Sequence, residues 1–197
     1  MVAHSSPQAP WPELEHSALD VAPRLLGLEL VSRSGGPETG GRIVEVEAYL
    51  GADDPASHAA RGRTPRTAPM FDRGGTIYIY LSYGLHTCIN IVTGPAGEAS
   101  AVLIRALEPT IGVDTMAARR HTLATRQLCS GPGKVGQALG LTLGASGTRL
   151  GEVLDLRSSG TPIAPSAIIT APRIGLTRAT DQLWRFYLAD NPFVSRR

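Results

Sequence analysis

Cysteine is almost missing from this chain of 197 residues: Cys88 and Cys129 are its only two, far apart in sequence. There is no CxxC pair and no Cys/His spacing of the kind that holds zinc, and the five histidines form no HExxH pattern. No metal site is expected. Two unpaired thiols suit a reducing compartment and read as packed side chains. Long apolar runs are missing too. None approaches the roughly 20 residues that span a bilayer, and MVAHSSPQAP lacks the charged and apolar regions of a secretory signal. Residues 1–12 therefore read as a short flexible tail, and residues 13–197 as a single domain. Lysine is scarcer still: of nineteen basic residues only Lys134 is a lysine, and the rest are arginine. Arginine forms planar, bidentate contacts with phosphates, although some proteomes are simply rich in it. Net charge is +2. Local clusters (Arg61, Arg63 and Arg66; Arg119 and Arg120; Arg196 and Arg197) permit nucleic-acid binding without demanding it.

Aromatics make up only 5% of the chain, yet four of the five tyrosines, Tyr49, Tyr78, Tyr80 and Tyr83, lie in one stretch that begins at Glu47. Flat rings gathered beside a carboxylate and His58 suggest a pocket for a flat ligand, with acid/base chemistry at its edge.

Local patterns organise this stretch. Residues 12–27 read as a helix, with Asp20 as a candidate cap and Pro23 in an early turn. Residues 42–50, RIVEVEAYL, alternate as a strand. Val44, Val46, Ala48 and Leu50 share one face, and Ile43, Glu45, Glu47 and Tyr49 share the other. A long polar loop, 51–73, follows; loops of this length are functional or disordered. TIYIYLSY, LHTCINIV and ASAVLIRALEP read as three further strands, with Tyr83 at the turn before Gly84. Arg105 inside the last of them requires a charged or hydrogen-bonded partner. Helices are expected over 110–120 and from the SGPGK turn at 130–141, and short strands near 149–156, 166–173 and 184–188. GPGK lacks the glycine spacing and the Ser/Thr of a P-loop, so it does not read as a triphosphate site. Its backbone N–H groups could still hold a phosphate. The fold class implied is α+β, a single domain with a mostly antiparallel sheet flanked by helices. Taken alone, Glu47 reads more readily as a solvated carboxylate on the exposed face of an edge strand than as a general base, because exposed strand carboxylates are common. Tyr80 and Tyr83 are stacking rings or plain strand tyrosines.

Read together, several long segments resemble the 3-methyladenine (alkyladenine, N-methylpurine) DNA glycosylases. They are RIVEVEAYLGADDPASHA (42–59), GRTPRTAPMF (62–71), GTIYIYLSYGLHTCINIV (75–92), VLIRALEP (102–109) and LCSGPGKVGQALGL (128–141), with RIGL and WRFYL near the end. The resemblance runs from about Leu25 onward. It implies a curved sheet with a protruding β-hairpin that enters DNA. A damaged purine is flipped out of the duplex and held by Tyr49, His58 and Tyr80, with Asn90 crowding the 2-amino group of guanine. Glu47 matches the general base that activates water for attack on C1′, and Arg105 a residue that holds Glu47 and the water; the family's water also contacts backbone near a segment that Arg173–Gly175 resembles, with no single residue named. Tyr83 matches the side chain that fills the gap in the duplex. Arg63, Thr64, Arg66, Met70, Gly84 and Lys134 match positions on the DNA side. The partner implied is double-stranded DNA carrying a damaged purine, bound by a monomer without cofactor, metal or membrane. The implied location is the cytoplasm, at chromosomal DNA (the nucleus in a eukaryote). Glycosylases that also cut the strand form a Schiff base through an amine. The only lysine sits in a phosphate-type motif, so the resemblance implies a monofunctional enzyme that leaves an abasic site in base excision repair. His86 and Thr87 depart from the aromatic residues that some relatives carry beside the hairpin tip. Two other classes remain on residue chemistry alone. One is a non-catalytic stacking module using Tyr80 and Tyr83. The other is a carbohydrate hydrolase pairing Glu47 with Glu45 or Asp53.

Overall fold

Strand β2 organises the molecule. In the computed structural model, which describes residues 13–196, β2 (Thr39–Leu50) is twelve residues long. It follows α1 (Ala18–Leu25) and β1 (Glu29–Ser32) and precedes β3 (Ile77–Ser82), β4 (His86–Val92) and β5 (Ser100–Ile111). Three helices come next, α2 (Val113–Arg120), α3 (Thr125–Leu128) and α4 (Pro132–Ala138). Strands β6 (Leu154–Arg157), β7 (Ile168–Ala171) and β8 (Arg185–Leu188) complete the order. The strands form one eight-stranded sheet in the order β3-β4-β5-β2-β1-β6, with β8 also on β2 and β7 on β8. Every ladder between these strands is antiparallel. The sheet curls into a half-barrel, and the class is α+β as expected.

β2 is not an edge strand. It pairs with β5 along one side and with β1 and then β8 along the other. Both its faces are buried: Val44, Val46 and Ala48 pack into the main core, and Glu45 and Glu47 are buried on the opposite face. The reading of Glu47 as a solvated carboxylate is thereby corrected, because paired neighbours cover both sides of its strand. The alternation of β3 sorts its side chains likewise. Ile77 and Ile79 enter the main core, while Tyr78 and Tyr80 join a second, smaller cluster with Ala59, Met70, Phe71, Val92, Ala99 and Ala101.

Helix α1 is shorter than expected, and its cap is Ser17, whose hydroxyl accepts from the Leu19 N–H. Asp20 lies in the first turn, where its charge suits the helix dipole, and Pro23 sits inside the helix. The flexible-tail expectation for residues 1–12 falls outside the described residues. The long loop is folded rather than structureless. It carries 3₁₀ turns at His58–Arg61 and Ala68–Phe71. The Thr67 hydroxyl ties the Thr64 N–H to the Gly62 carbonyl. α4 packs closely on β4: a Cβ added at Gly136 would lie 2.1 Å from the Thr87 carbonyl oxygen. Both cysteines are free and buried. Among the described residues no helix is long and apolar enough to cross a membrane.

Candidate active site

Sheet register brings the chemistry together. Directly paired residues share a face, so one row crosses the sheet as Arg185, Glu47, Leu103, Asn90 and Tyr78. Arg105 lies two residues beyond Leu103 on the same face. A register shift around Glu45, typical of a β-bulge, pairs Glu45 with Ala106 and leaves its carboxylate beside Arg105.

Glu47 is completely buried. Its Oε1 accepts the Ile174 N–H at 2.8 Å and forms an ion pair with Arg105 Nη1 at 3.2 Å. Its Oε2 accepts the Tyr49 hydroxyl at 2.8 Å. A carboxylate offers about four lone-pair directions, so three donors leave room for one more. Glu45, equally buried, accepts from Arg105 Nε and Arg185 Nη1, each at 3.1 Å, and from the Ser195 N–H at 2.7 Å. The partner that Arg105 required is thus a pair of carboxylates. Two carboxylates face two guanidiniums, so neither anion is buried without a countercharge. Burial penalises the charge on Arg105, but the Glu47 and Glu45 carboxylates outweigh it and hold its pKa above the ordinary arginine value. Burial and the neighbouring Glu47 push the Tyr49 phenol far above its ordinary range, so it keeps its proton and donates.

Immediately beyond lies a pocket of ≈ 80 Å³ lined by Tyr49, Ala56, His58, Met70, Tyr78, Tyr80, Asn90 and Leu176. All four residues expected to hold a flat ligand, Tyr49, His58, Tyr80 and Asn90, line it. Glu47 does not; it sits behind Tyr49. His58 meets Tyr80 edge to face, with centroids 4.4 Å apart, and its Nδ1 is 3.0 Å from the Tyr78 hydroxyl. Burial, then the positive charge of Arg66, lowers the His58 pKa and favours a neutral ring. Asn90 donates from Nδ2 to the Tyr78 carbonyl at 3.1 Å, which fixes its amide. A wider cleft of ≈ 590 Å³ adjoins the pocket, sharing Ala56, His58 and Leu176 and reaching Arg61 and Arg178.

The remaining expected residues divide by position. Tyr83 is 92% exposed at the β3–β4 turn, beside exposed Gly84, and Arg63 and Thr64 are exposed in the long loop. Arg66, also exposed, places its guanidinium 5.7 Å from the Tyr80 ring centre, at the pocket side. Lys134 is half-buried, with Nζ donating to Ser130 Oγ at 3.0 Å. Met70, expected on the DNA side, is not at the surface. It is 2% exposed and lies in the pocket wall, because the 3₁₀ turn at Ala68–Phe71 points it inward.

Sequence reasoning gave Tyr78 no role, yet its ring lines the pocket and its hydroxyl meets His58. Its period-two spacing from Tyr80 carried that signal. The resemblance pointed to backbone near Arg173–Gly175 without naming a residue, and the Ile174 N–H lies in that segment. Asp54 and the side chain of Arg173 were missed, because such long-range partners have no local signature. Among the described residues no three His, Cys, Asp or Glu side chains group as they would to hold a metal ion.

A buried carboxylate with room for one more donor, behind a ring-lined pocket on a half-barrel sheet, describes an enzyme of flat, ring-containing substrates. Comparison with known proteins gives the family. A model of the family described as Methylpurine-DNA glycosylase (MPG) matches residues 13–192. Curated relatives carrying the provisional name 3-methyladenine DNA glycosylase match along nearly their whole lengths. That of Methanoculleus marisnigri is 50% identical over 93% of this chain and 96% of its own. That of Prosthecochloris aestuarii is 48% identical over 90% and 86%, and that of Agrobacterium fabrum 46% over 98% and 94%. The chain belongs to the methylpurine-DNA glycosylase family. It is therefore a hydrolase of N-glycosidic bonds that acts on DNA in DNA repair.

Proposed function

We propose that the enzyme is a monofunctional glycosylase that releases alkylated purines of the 3-methyladenine type, and deaminated purines, from double-stranded DNA. The observation that carries this reading is Glu47: fully buried, held by Tyr49, Ile174 and Arg105, and set one side chain away from the aromatic pocket. In this reading a purine rotates out of the duplex and enters between Tyr49 and Tyr80, against Met70 and His58. N3- or N7-methylated purines carry positive charge, and each well-placed ring face favours such a cation by roughly 0.5–2 kcal/mol. The His58 bond to Tyr78 uses Nδ1 and leaves Nε2 for the base. Asn90, its amide anchored on Tyr78, crowds the 2-amino group of guanine.

Base entry displaces the Leu176 side of the pocket, with Tyr49 held in place, and water reaches the free lone pair of Glu47. Glu47 takes a proton from that water as its oxygen bonds to C1′. The N-glycosidic bond breaks with its electron pair leaving on the purine, and the abasic sugar remains in the strand. The carboxylate also opposes the positive charge that develops on the sugar. Arg105 keeps Glu47 aimed. Tyr83 enters the stack in place of the flipped base, and Arg63, Thr64, Arg66, Gly84 and Lys134 face the DNA backbone. The enzyme works as a monomer. Among the described residues no amine lines the pocket, and the side chain of the single lysine, Lys134, donates to Ser130, so strand cleavage is not expected.

The test is incubation with duplex oligonucleotides carrying 3-methyladenine, 7-methylguanine, hypoxanthine or 1,N6-ethenoadenine, followed by heating in alkali. Strand breaks that appear only after alkali support the reading. No break with any of the four would overturn it. Breaks before alkali would overturn the monofunctional part.

A further inference from the structure

One buried charge cluster has no part in that chemistry. Arg173 follows β7, and its side chain is wholly inaccessible. Its Nη1 and Nη2 donate to the two carboxylate oxygens of Asp54 at 2.6 and 2.8 Å, and Nη1 also donates to the Ala48 carbonyl at 3.0 Å. The guanidinium carbon lies 4.6 Å from the centre of the Tyr49 ring and 4.8 Å from that of Trp184. The planar cation is thus a spacer between two aromatic rings. It does not line the pocket, although Tyr49 does.

Three connections run from this spacer to the site. Tyr49 both stacks on the guanidinium and donates its hydroxyl to Glu47. The residue after Arg173 is Ile174, whose N–H holds Glu47 Oε1. Asp54 accepts the N–H groups of Leu50 and Ala56 at 3.3 and 3.0 Å, which ties the end of β2 to the loop that carries His58. Trp184 closes the far side, and its carbonyl accepts the Ala48 N–H at 2.8 Å.

We propose that Arg173, clamped by Asp54 and backed by Trp184, is the positioning residue for base release: it fixes the depth of the Tyr49 ring and the aim of the Glu47 carboxylate together. A buried ion pair is weak evidence for stability, since apolar residues of similar volume often serve as well. What apolar residues would not supply is a flat backing for Tyr49 with a fixed backbone donor beside it. The role rests on the base-release reading above. Arg173 touches neither base nor water.

The experiment measures single-turnover release from a duplex carrying 7-methylguanine or hypoxanthine, whichever the unaltered full chain releases faster. It also measures the Kd for a duplex with a tetrahydrofuran abasic analogue, and folding by circular dichroism. Trp184→Leu removes the outer slab, and Trp184→Phe restores a flat ring. Asp54→Asn with Arg173→Gln replaces the ion pair by a neutral one. Trp184→Leu and the neutral pair are expected to release base about tenfold more slowly or worse, with abasic binding unchanged within about twofold, and Trp184→Phe to recover most of the rate. Wild-type rates in folded Trp184→Leu overturn the inference. So does a loss that Trp184→Phe does not recover, or one that matches the unfolded fraction. Should the neutral pair fail to fold, the Trp184 variants decide. If the unaltered chain releases no base, the proposed function fails and not this role.

Discussion

Tyr83 carries a backbone cost that its exposed ring does not offset. Tyr83 and Gly84 have φ of 52° and 70°, and the Leu85 N–H donates to the Ser82 carbonyl at 3.1 Å. Both central residues of the turn are therefore left-handed, the I′ pattern that favours Asn-Gly. A side chain with a Cβ in that region costs about 1–2 kcal/mol, and asparagine bears it more easily through local hydrogen bonds. The ring is 92% exposed, so losing it forfeits little burial. Tyr83→Asn is expected to raise stability by about 1 kcal/mol, which for a domain of this size is about 2–4 °C in Tm. Scanning calorimetry measures this, with Tyr83→Phe as the control that keeps both ring and strain. In the proposed mechanism the same Tyr83→Asn change slows base release from duplex DNA, because nothing then fills the gap. A Tm for Tyr83→Asn at or below that of Tyr83→Phe would refute the strain argument, whatever happened to release.

Further outcomes follow from other parts of the structure. Glu47→Gln abolishes base release while lesion-DNA affinity in a gel-shift assay stays within about threefold; full activity would sink the mechanism. Arg105→Leu leaves two buried carboxylates short of a countercharge and costs about 3–5 kcal/mol by urea unfolding. Gly136→Ala drives a methyl group into the Thr87 carbonyl, where the added Cβ would lie at 2.1 Å. It costs about 1–3 kcal/mol, read as a lower midpoint in the same titration. His58 resists protonation in the folded state, so as pH falls below its ordinary value of 6.5 the unfolded chain takes up a proton first. Stability should therefore decline modestly through that window and level off once the folded ring also protonates. In His58→Gln that part of the pH–stability curve is flat.

The strands and the aromatic cluster were legible because their signals are local. Alternation in RIVEVEAYL put Glu47 and Tyr49 on one face, and the same rule put Tyr78 and Tyr80 on one face of TIYIYLSY, although it gave Tyr78 no role. Arg105 in an apolar run announced a hidden partner. The sequence could not say that β2 is central, since neither neighbour of a strand is written in the strand itself. That single fact turned an ambiguous carboxylate into a buried one. The helix boundary was missed because Ser17 and Asp20 are both good caps, and the choice between them depends on where α1 meets the sheet. The inward turn of Met70 depends on a 3₁₀ turn whose period is too short to register as a pattern. Asp54 and Arg173 lie 119 residues apart, and nothing near either one names the other.

The donors to Glu45 and Glu47 also set a temporal order. Ile174, Arg185 and Ser195 reach carboxylates that precede them by 127, 140 and 150 residues. On a ribosome, β2 to β5 emerge and pair long before those donors exist. Pairings so distant in sequence form late and slowly. The nascent chain therefore holds a sheet and a core before it holds an aimed carboxylate. A chain stopped before Arg173 keeps the aromatic residues that would grip a base but lacks the backbone that directs Glu47. Docking of the last strands thus both finishes the fold and completes the proposed hydrolytic centre.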